Sequence, residues 1–379
     1  MKTQHHSGGF TLVEVLVAAG IVVVLLVVLL GMTDQTQRLV KATSSKVEQF
    51  QEARAAFESM TRHLSQATLN SFWDYVYDAN GNPSGYARKA ELRFHSGPTK
   101  TLNPSGGPGG NLQPGHSVFF QAPLGNVNDT TNLGAMDHLM NTWGYFLEIG
   151  TDADKFPSFL QNAVNPRKRY RLMELMEPSE KLSVYRYQND INNRLWFSQA
   201  LTGTTLPRPV RVLAENVVAL VILPRLSLAD EKRINPNPAT PPVLAPNYVY
   251  DSTITPAASK NPATATTLTG TLLNSNNQLP PVVQVIMVAI DEPSARRLED
   301  LYSSDPYLGI GNNPDPLSGQ NLFTDPTHLN DSASGTPGDL TRLQNLLSSS
   351  ANPNIRASYR IFSSNVNIKG AKWSLNTAN

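Results

Sequence analysis

The chain has 379 residues, 40% of them hydrophobic, and a formal net charge of +1. This length can bury the core of one large domain or two small ones, and the balanced charge gives no electrostatic footprint for a nucleic acid. The sequence contains no cysteine, which excludes a disulfide framework, thiol catalysis and cysteine-ligated zinc. Its 28 prolines favour β-structure joined by long loops over a helical bundle.

An apolar run begins close to the N-terminus. Thirteen of the sixteen residues from 15 to 30 are valine, leucine or isoleucine, and no charged residue lies between Glu14 and Asp34. The residues between these two carboxylates rise about 1.5 Å each as an α-helix, which covers most of a bilayer core. The run therefore predicts a membrane-spanning helix. Glu14 stands at its beginning, where an ionisable group is costly and so indicates a function.

The residues around this glutamate resemble the class III signal of type IV pilins and type II secretion pseudopilins. A short leader, MKTQHHSGG, ends at Gly9 and is followed by FTLVE at residues 10–14. The resemblance implies that a prepilin peptidase cuts between Gly9 and Phe10 and methylates the new amine of Phe10. It also implies that Glu14 pairs with the amine of a neighbouring subunit, since each charge alone is costly in hydrocarbon.

The same resemblance implies a leader at residues 1–9 and a transmembrane helix at 10–32. The chain would then be a single-pass inner-membrane protein with a cytoplasmic N-terminus and an ectodomain in the periplasm or outside the cell. The flanking basic residues do not set this orientation, because only Lys2 precedes the helix. Two alternatives remain: an ordinary signal peptide, which the absence of an A-x-A pattern in LLGMTD at 29–34 disfavours, and a plain anchor with an incidental carboxylate.

Residues 33–70 predict an amphipathic stalk that continues the helix. Apolar or small residues recur every three or four positions, which gives one stripe along a helix. We expect this stripe to pack on the chain's own sheet, and a free coiled coil is the alternative. The stripe consists of Val40, Thr43, Val47, Phe50, Ala53, Phe57, Met60, Leu64 and Ala67.

Two further resemblances refine the family. The segment FQEARAAFESMTRHLSQATLN at 50–70 is similar to the end of the N-terminal helix in minor pseudopilins of the J type and minor pilins of the W type. Three longer blocks resemble the prepilin-type Verru_Chthon cassette proteins, particularly the C member. These blocks are RYRLMELMEPSEKLSVYRY at 169–187, VVQVIMVAIDEPSARRLE at 282–299 and SYRIFSSNVNIKGAKWSL at 358–375.

The remaining sequence predicts several strands and two short helices. Residues 282–290 and 216–223 are apolar on both faces, as central strands are, whereas 183–187 and 359–368 alternate as half-buried strands do. Further strands are predicted at 92–95, 118–121 and 143–149. One helix is expected from Pro293 to Tyr302, and another after a capping box formed by Thr336 and Asp339. Strands behind one long helix indicate an α+β fold with a pilin-like antiparallel sheet.

This pattern divides the ectodomain into three parts. A β-rich part covers residues 71–229, a Pro/Thr/Asn-rich insertion or linker covers 230–281, and residues 282–379 complete the ectodomain with strands and short helices. The segments 96–116, 230–281 and 303–338 have the composition of loops. Compact domains rarely hold structureless connections of this length, so we interpret them as mobile surface insertions or as loops that contact a partner.

Catalytic and metal-binding motifs are absent from the sequence. It has no G-x-S-x-G elbow, no H-E-x-x-H and no P-loop, so no catalytic residue, cofactor or metal is predicted. The segment DANGNPSG at 78–85 places Asp78, Asn80 and Asn82 at the spacing of a calcium loop. It lacks the closing glutamate, and a tight turn at Asn80 and Gly81 explains it better.

Two classes of function follow, and an enzyme is a distant third. The first is a minor pilin or pseudopilin, a structural subunit assembled near the tip of a type IV pilus or type II secretion pseudopilus. Its partners would be the prepilin peptidase, other pilin or pseudopilin subunits, the inner-membrane assembly platform and the membrane. The alternative is a membrane-tethered ectodomain that binds polysaccharide or secreted cargo. A tether needs only an apolar helix, so Glu14 favours assembly.

Overall fold

The structure is a computed structural model that describes residues 11–151, 159, 163, 165–188, 194–203, 208–234, 244–253, 275–310, 322–348 and 355–373, with the backbone alone at 38–49, 233–234 and 246. The chain divides into two compact units, Met1–Gln51 and Glu52–Asn379. The boundary falls within the first helix, α1, Leu12–Leu64.

The first unit holds the apolar part of α1. The segment Leu12–Gln37 has a mean hydropathy of 3.2, and none of it is buried by other parts of the chain. Its 26 residues are enough to cross a bilayer core at about 1.5 Å per residue. Within the described residues it is the one helix that is long and apolar enough to span a membrane.

The second unit contains the end of α1, which we call the α1 foot (residues 52–64), and mixed α and β elements. Its strands are β1 Phe72–Tyr77, β2 Pro83–Lys89, β3 His95–Pro98, β4 His116–Pro123, β5 Met140–Thr151, β6 Lys168–Glu177, β7 Val210–Glu215, β8 Val217–Arg225, β9 Tyr250–Asp251, β10 Val282–Ile290 and β11 Tyr359–Asn367. Its further helices are α2 Thr99–Leu102, α3 Thr130–Leu133, α4 Ser183–Arg186, α5 Leu195–Thr202, α6 Leu228–Ile234, α7 Glu292–Tyr302 and α8 Asp339–Leu347.

Within the described residues, the strands form three antiparallel sheets. The largest has the order β7-β6-β5-β4-β3-β9, a second has the order β11-β10-β8, and β1 pairs with β2 alone. An apolar helix followed by a mixed domain with antiparallel sheets confirms the predicted α+β class.

One asparagine connects the two larger sheets. Asn216 separates β7 from β8 and has a φ of 60°, which most side chains avoid. Its backbone N–H donates to the carbonyl of Tyr170 at 2.7 Å, and its carbonyl accepts from the N–H of Ile290 at 3.0 Å. Its side-chain amide donates to Oε2 of Glu292 at 3.0 Å. These bonds hold the chain at the point where it leaves one sheet for the other.

The α1 foot packs on both larger sheets. Its buried residues are Ala53, Ala56, Phe57, Met60 and Leu64, which follow the predicted 3-4 spacing. The ring of Phe57 lies 5.8 Å from that of Phe362 on β11, and the N–H of Lys369 donates to the carbonyl of Ser65 at 2.9 Å. The predicted docking of the stripe is thus confirmed for the foot, and the side chains at residues 40–47 lie outside the described part.

A glycine lets an aromatic side chain lie flat across β5. A Cβ added at Gly144 would sit 2.3 Å from Cδ1 of Phe119. Phe119 in turn stacks on Phe197 of α5, with ring centroids 4.2 Å apart and planes 5° from parallel. The missing side chain at residue 144 is therefore a packing requirement of the core.

Most predicted elements agree with the structure. Residues 118–121, 143–149, 282–290 and 359–368 lie on β4, β5, β10 and β11, residues 217–223 lie on β8, and the helix at 293–302 is α7. Asn216 is the exception within its predicted strand, because its positive φ ends the extended run.

Three local predictions are wrong. Residues 183–187 hold the short helix α4, since the carboxylate of Glu177 accepts from the N–H of Ser183 at 3.0 Å and from its hydroxyl at 2.6 Å. The strand predicted at 92–95 begins only at His95, because the N–H groups of Arg93 and Phe94 donate to side chains of β4 and of Ser252.

The third error concerns the capping box before α8. The helix has Gly338 as N-cap, without a side-chain bond to the cap. Thr336 instead closes a turn with Ser332, whose N–H donates to the Thr336 carbonyl at 3.0 Å, and Asp339 accepts from the N–H of Phe323 at 2.7 Å. Both members of the predicted box are therefore committed elsewhere.

The interpretation of residues 96–116 as a mobile surface insertion is also wrong. This segment contains β3 and α2, buries Leu102 and Gln113, and bridges Leu112 to Ile149 of β5. In the other two segments, several described side chains belong to the core, namely Tyr248, Tyr250, Leu279, Leu308, Phe323 and Leu329. Residues 254–274 and 311–321 lie outside the described part.

Candidate functional site

The sequence-predicted site lies at the start of α1. The backbone N–H and the hydroxyl of Thr11 both donate to Oε2 of Glu14, each at 3.0 Å. In return, the N–H of Glu14 donates to Oγ1 of Thr11 at 3.3 Å. Thr11 precedes the first helical residue and Glu14 follows three positions later, so the two form a capping box. Its sequence signal is the pattern T-x-x-E within FTLVE, which sequence reasoning missed.

The two hydrogen bonds that the Glu14 carboxylate accepts from Thr11 both fall on Oε2. Within the described part of the chain, Oε1 has no hydrogen-bond partner, and the residue is exposed. Its neighbours Val13 and Val15 are 69% and 59% exposed. The carboxylate therefore stands on an apolar surface with one oxygen open to a group from outside the chain. Gly9 and Phe10, the other two predicted site residues, lie outside the described residues.

A second polar cluster joins the α1 foot to the six-stranded sheet. The hydroxyl of Tyr145 donates to Oε1 of Glu174 at 3.0 Å and lies 2.8 Å from Nδ1 of His63. Because a phenol has one proton, it accepts from the Nδ1–H of His63, which fixes the tautomer of the imidazole. Arg211 pairs with the buried Glu174 carboxylate through its Nε. Sequence reasoning missed this cluster, whose members are far apart along the chain.

Burial governs the ionisation of this cluster. It lowers the pKa of His63 to about 4, and the nearby charges of Arg62 and Arg211 act in the same direction. Burial raises the pKa of Tyr145 well above its usual value, and the Glu174 carboxylate adds to the effect. His63 is therefore neutral when the foot is docked at neutral pH, and the cluster is a structural contact without an open cleft.

Two further ion clusters are satisfied internally. Arg208 forms a bidentate salt bridge with Glu148, with N–O distances of 2.7 and 3.3 Å. Arg169 donates to Glu299 at 2.7 Å and to Glu292 at 3.0 Å. Buried pairs of this kind fix the relative positions of strands and helices, and contribute little net stability.

The suspected calcium loop is a turn. Oδ1 of Asp78 accepts from the N–H groups of Asn80 and Asn82 at 2.9 and 2.8 Å, and Gly81 has a φ of 81°. These backbone hydrogen bonds lower the pKa of Asp78. The predicted tight turn at Asn80 and Gly81 is confirmed, and it joins β1 to β2. Within the described residues, no group of acidic or histidine side chains is arranged to hold a metal ion.

Comparison with known proteins matches only the beginning of the chain. Residues 4–30 match the family described as "Prokaryotic N-terminal methylation motif". The match contains Gly9, Phe10 and Glu14 and supports a prepilin-type signal at the start of α1. Neither the curated proteins nor the solved structures give a significant match. The likeness to J-type pseudopilins, W-type pilins and cassette protein C thus stays a prediction.

Proposed function

We propose that this chain is a minor pilin or pseudopilin that is cut between Gly9 and Phe10 and assembled into a membrane-rooted fibre. The observation that carries the proposal is the combination of the methylation motif with Glu14 at the start of an exposed apolar helix. The motif supports recognition by a prepilin peptidase. The half-satisfied carboxylate supports a second role for Glu14, beyond the first turn of the helix.

Electrostatics favour an ammonium group as the partner of Glu14. In hydrocarbon, a carboxylate with one open oxygen is costly, and an ammonium group nearby lowers that cost strongly because the dielectric constant is low. Cleavage after Gly9 would create such an amine at Phe10. The capping bonds from Thr11 occupy Oε2, so Oε1 is the oxygen that such an amine would meet, and by the resemblance to pilins this amine comes from a neighbouring subunit.

The second unit supports a place near the fibre tip. By the usual scaling of domain size, residues 52–379 have a radius of gyration of about 20 Å. Repeating units of a pilin-like fibre stack closely along the axis, according to the resemblance, and a domain of this size with long connecting segments fits poorly between close neighbours. A terminal subunit has one free face.

The test compares cells that carry the assembly machinery with cells that lack its ATPase or its prepilin peptidase. We expect the full chain in the sheared fibre fraction of the first cells and in the membrane fraction of the other two. The membrane-tether alternative is correct if the chain stays in the membrane fraction of all three strains, although other pilin subunits assemble in the strain that carries the complete machinery.

A further inference from the structure

The hairpin β1–β2 presents a row of aromatic side chains on one side. Side chains alternate along a strand, so Trp73, Tyr75 and Tyr77 share a face. The register places Arg88 opposite Trp73 and Tyr86 opposite Tyr75. We call these five side chains the aromatic face. Sequence reasoning missed it, although the alternation in FWDYVY is its signal.

The three tyrosine rings of the aromatic face lie next to each other, and all four rings remain open to solvent. Trp73, Tyr75, Tyr77 and Tyr86 are 52%, 46%, 59% and 50% exposed. The ring centroids of Tyr75 and Tyr86 are 4.7 Å apart, and those of Tyr75 and Tyr77 are 6.3 Å apart. Contiguous exposed aromatic surface of this kind usually marks a binding site.

Contacts of Arg88 with the rest of the second unit hold the aromatic face in place. The guanidinium of Arg88 lies 5.1 Å from the ring centroid of Trp73 and donates to Oε1 of Gln278 at 2.6 Å and to the carbonyl of Lys372 at 3.2 Å. The side-chain amide of Asn277 donates to the Arg88 carbonyl at 2.7 Å. An isolated hairpin is marginal in water, and these contacts preorganise it against the second unit.

The charges around the hairpin exclude a strongly charged ligand. Asp74 and Lys89 belong to the opposite side of the hairpin and pair with each other at 2.5 Å. On the aromatic face itself, Arg88 is the one charged residue, and it is already bonded to Gln278 and Lys372. Complementarity therefore favours an uncharged ligand over a nucleic acid, an acidic glycan or a charged peptide.

The shape and chemistry of the aromatic face favour a linear chain of sugar rings. Successive rings on one strand repeat about every 6.6 to 6.8 Å, from the rise of two residues. A pyranose with equatorial substituents has apolar C–H faces that stack on tryptophan and tyrosine, and hydroxyls at its rim that bond to tyrosine hydroxyls. Tyrosine, tryptophan and arginine are also enriched in protein–protein interfaces, so a second copy of the chain is the competing occupant that the test has to distinguish.

We propose that the aromatic face of the β1–β2 hairpin binds an uncharged, β-1,4-linked polysaccharide. Equatorial linkages keep such a polymer extended, so that one glycan chain can lie along the row of rings. The planes of Tyr75 and Tyr86 are tilted by 36°, and those of Tyr75 and Tyr77 by 46°, so a single glycan chain that can follow the hairpin twist fits better than a flat crystal surface. This binding is independent of fibre assembly.

The test titrates the full chain in detergent micelles with cellohexaose, by calorimetry and by quenching of tryptophan fluorescence. Trp73 is half exposed, Trp373 is partly buried, and Trp143 and Trp196 are buried. Acrylamide quenching should therefore fall when the sugar covers Trp73, and this fall should be lost in Trp73→Ala. We expect Trp73→Ala and Tyr75→Ala each to weaken binding by about tenfold, since a stacked aromatic contact contributes about that factor. Tyr75→Phe keeps the ring and should bind within about threefold of the original chain.

Phe72→Ala is the matched control. Phe72 is 46% exposed like Tyr75, but it alternates to the other side of the hairpin, so its removal should leave binding unchanged. Circular dichroism and the melting temperature check that each variant folds. The proposal is overturned if cellohexaose does not bind, if the α-1,4-linked maltohexaose binds equally well, or if Phe72→Ala weakens binding as much as Tyr75→Ala. Self-association of the chain that Tyr75→Ala abolishes would assign the face to a second copy instead.

Discussion

Oε2 of Glu14 accepts two hydrogen bonds from Thr11, so one oxygen of this carboxylate is committed to the first turn of α1. Glu14 thus combines a local role, which depends on an acceptor oxygen, with a proposed role between subunits, which depends on a negative charge. Substitutions that separate acceptor from charge can distinguish the two.

The first prediction uses Glu14→Gln. Glutamine keeps an oxygen that can accept from Thr11 and loses the charge, so the helix should form and insert at least as well as before. Entry into fibres should fall, because an amine partner would lose its counter-charge. Glu14→Ala also removes the charge, so we expect it to reduce entry into fibres by the same amount. The measurement is the share of the chain in the sheared fibre fraction. Thr11→Val, which loses the cap and keeps the charge, should assemble much more like the original chain, and wild-type assembly of the Gln variant would contradict the proposal.

The second prediction concerns processing. The chain should lose residues 1–9 and carry one methyl group on the amine of Phe10, because Gly9 offers the peptidase no side chain at the scissile bond. Mass spectrometry of the N-terminal peptide from membranes checks this. Gly9→Val should leave the leader uncut, whereas Ser7→Val, two residues earlier, is the control that should still be processed. An intact Met1 in cells with an active prepilin peptidase would rule the site out.

The third prediction concerns acid stability. The pKa of His63 is about 4 when the α1 foot is docked and near its usual 6.5 when the chain is unfolded. Between these pH values the unfolded chain therefore binds more protons than the folded chain. The contribution of the neutral His63 to the free energy of unfolding is fully present above about pH 6.5 and is lost as the pH falls toward 4. The contribution is about 1–2 kcal/mol after allowance for the partial exposure of the ring.

Thermal unfolding of the original chain and of His63→Gln at pH 7.5 and pH 4.5 measures this contribution. The original chain should lose more stability between the two pH values than the variant, which has no group to titrate at this position. Equal losses would show that the α1 foot does not keep His63 neutral.

The fourth prediction concerns Asn216, which connects the two larger sheets. Asn216→Val forces a β-branched residue to a φ of 60° and removes the bond to Glu292, so it should destabilise the second unit by about 2–4 kcal/mol. Asn216→Gly removes the same bond but adopts this φ freely, so it should cost about 1–2 kcal/mol. Chemical denaturation measures both. A glycine variant as unstable as the valine variant would contradict the role assigned to the backbone.

The fifth prediction is that few copies of this chain are present in each fibre. Its second unit is large for close axial stacking, so we expect a terminal position. Quantitative mass spectrometry of purified fibres gives the stoichiometry against the other pilin-like subunits. A copy number equal to that of the most abundant subunit would contradict the tip assignment.

Local sequence patterns predicted the elements whose environment is uniform. Residues 282–290 are apolar at nearly every position, and they form the central strand β10 of its sheet. Patterns failed where a distant side chain decides the outcome. Residues 183–187 alternate like a strand but form the short helix α4, because the carboxylate of Glu177 accepts hydrogen bonds from the N–H and the hydroxyl of Ser183. A periodicity rule contains no information about such a contact.

The candidate site divides in the same way. Glu14 was predictable because an isolated charge in an apolar run is visible in the sequence, and its contact with Thr11 spans only three residues. The cluster of His63, Tyr145 and Glu174 was not, because the first two are separated by 82 positions and meet only after β5 and β6 have paired.

The position of β11 has a consequence for the order of folding during synthesis. β11 completes the sheet of β10 and β8, and its Phe362 contacts Phe57 of the α1 foot. Everything before Tyr359 must leave the ribosome, and in an exported chain must cross the membrane, before this strand can join. Until then β10 exposes an open edge, and the foot lacks one of its supports. A chain interrupted shortly before β11 would therefore present an unpaired apolar strand to proteases, so incomplete chains should be degraded faster than complete ones.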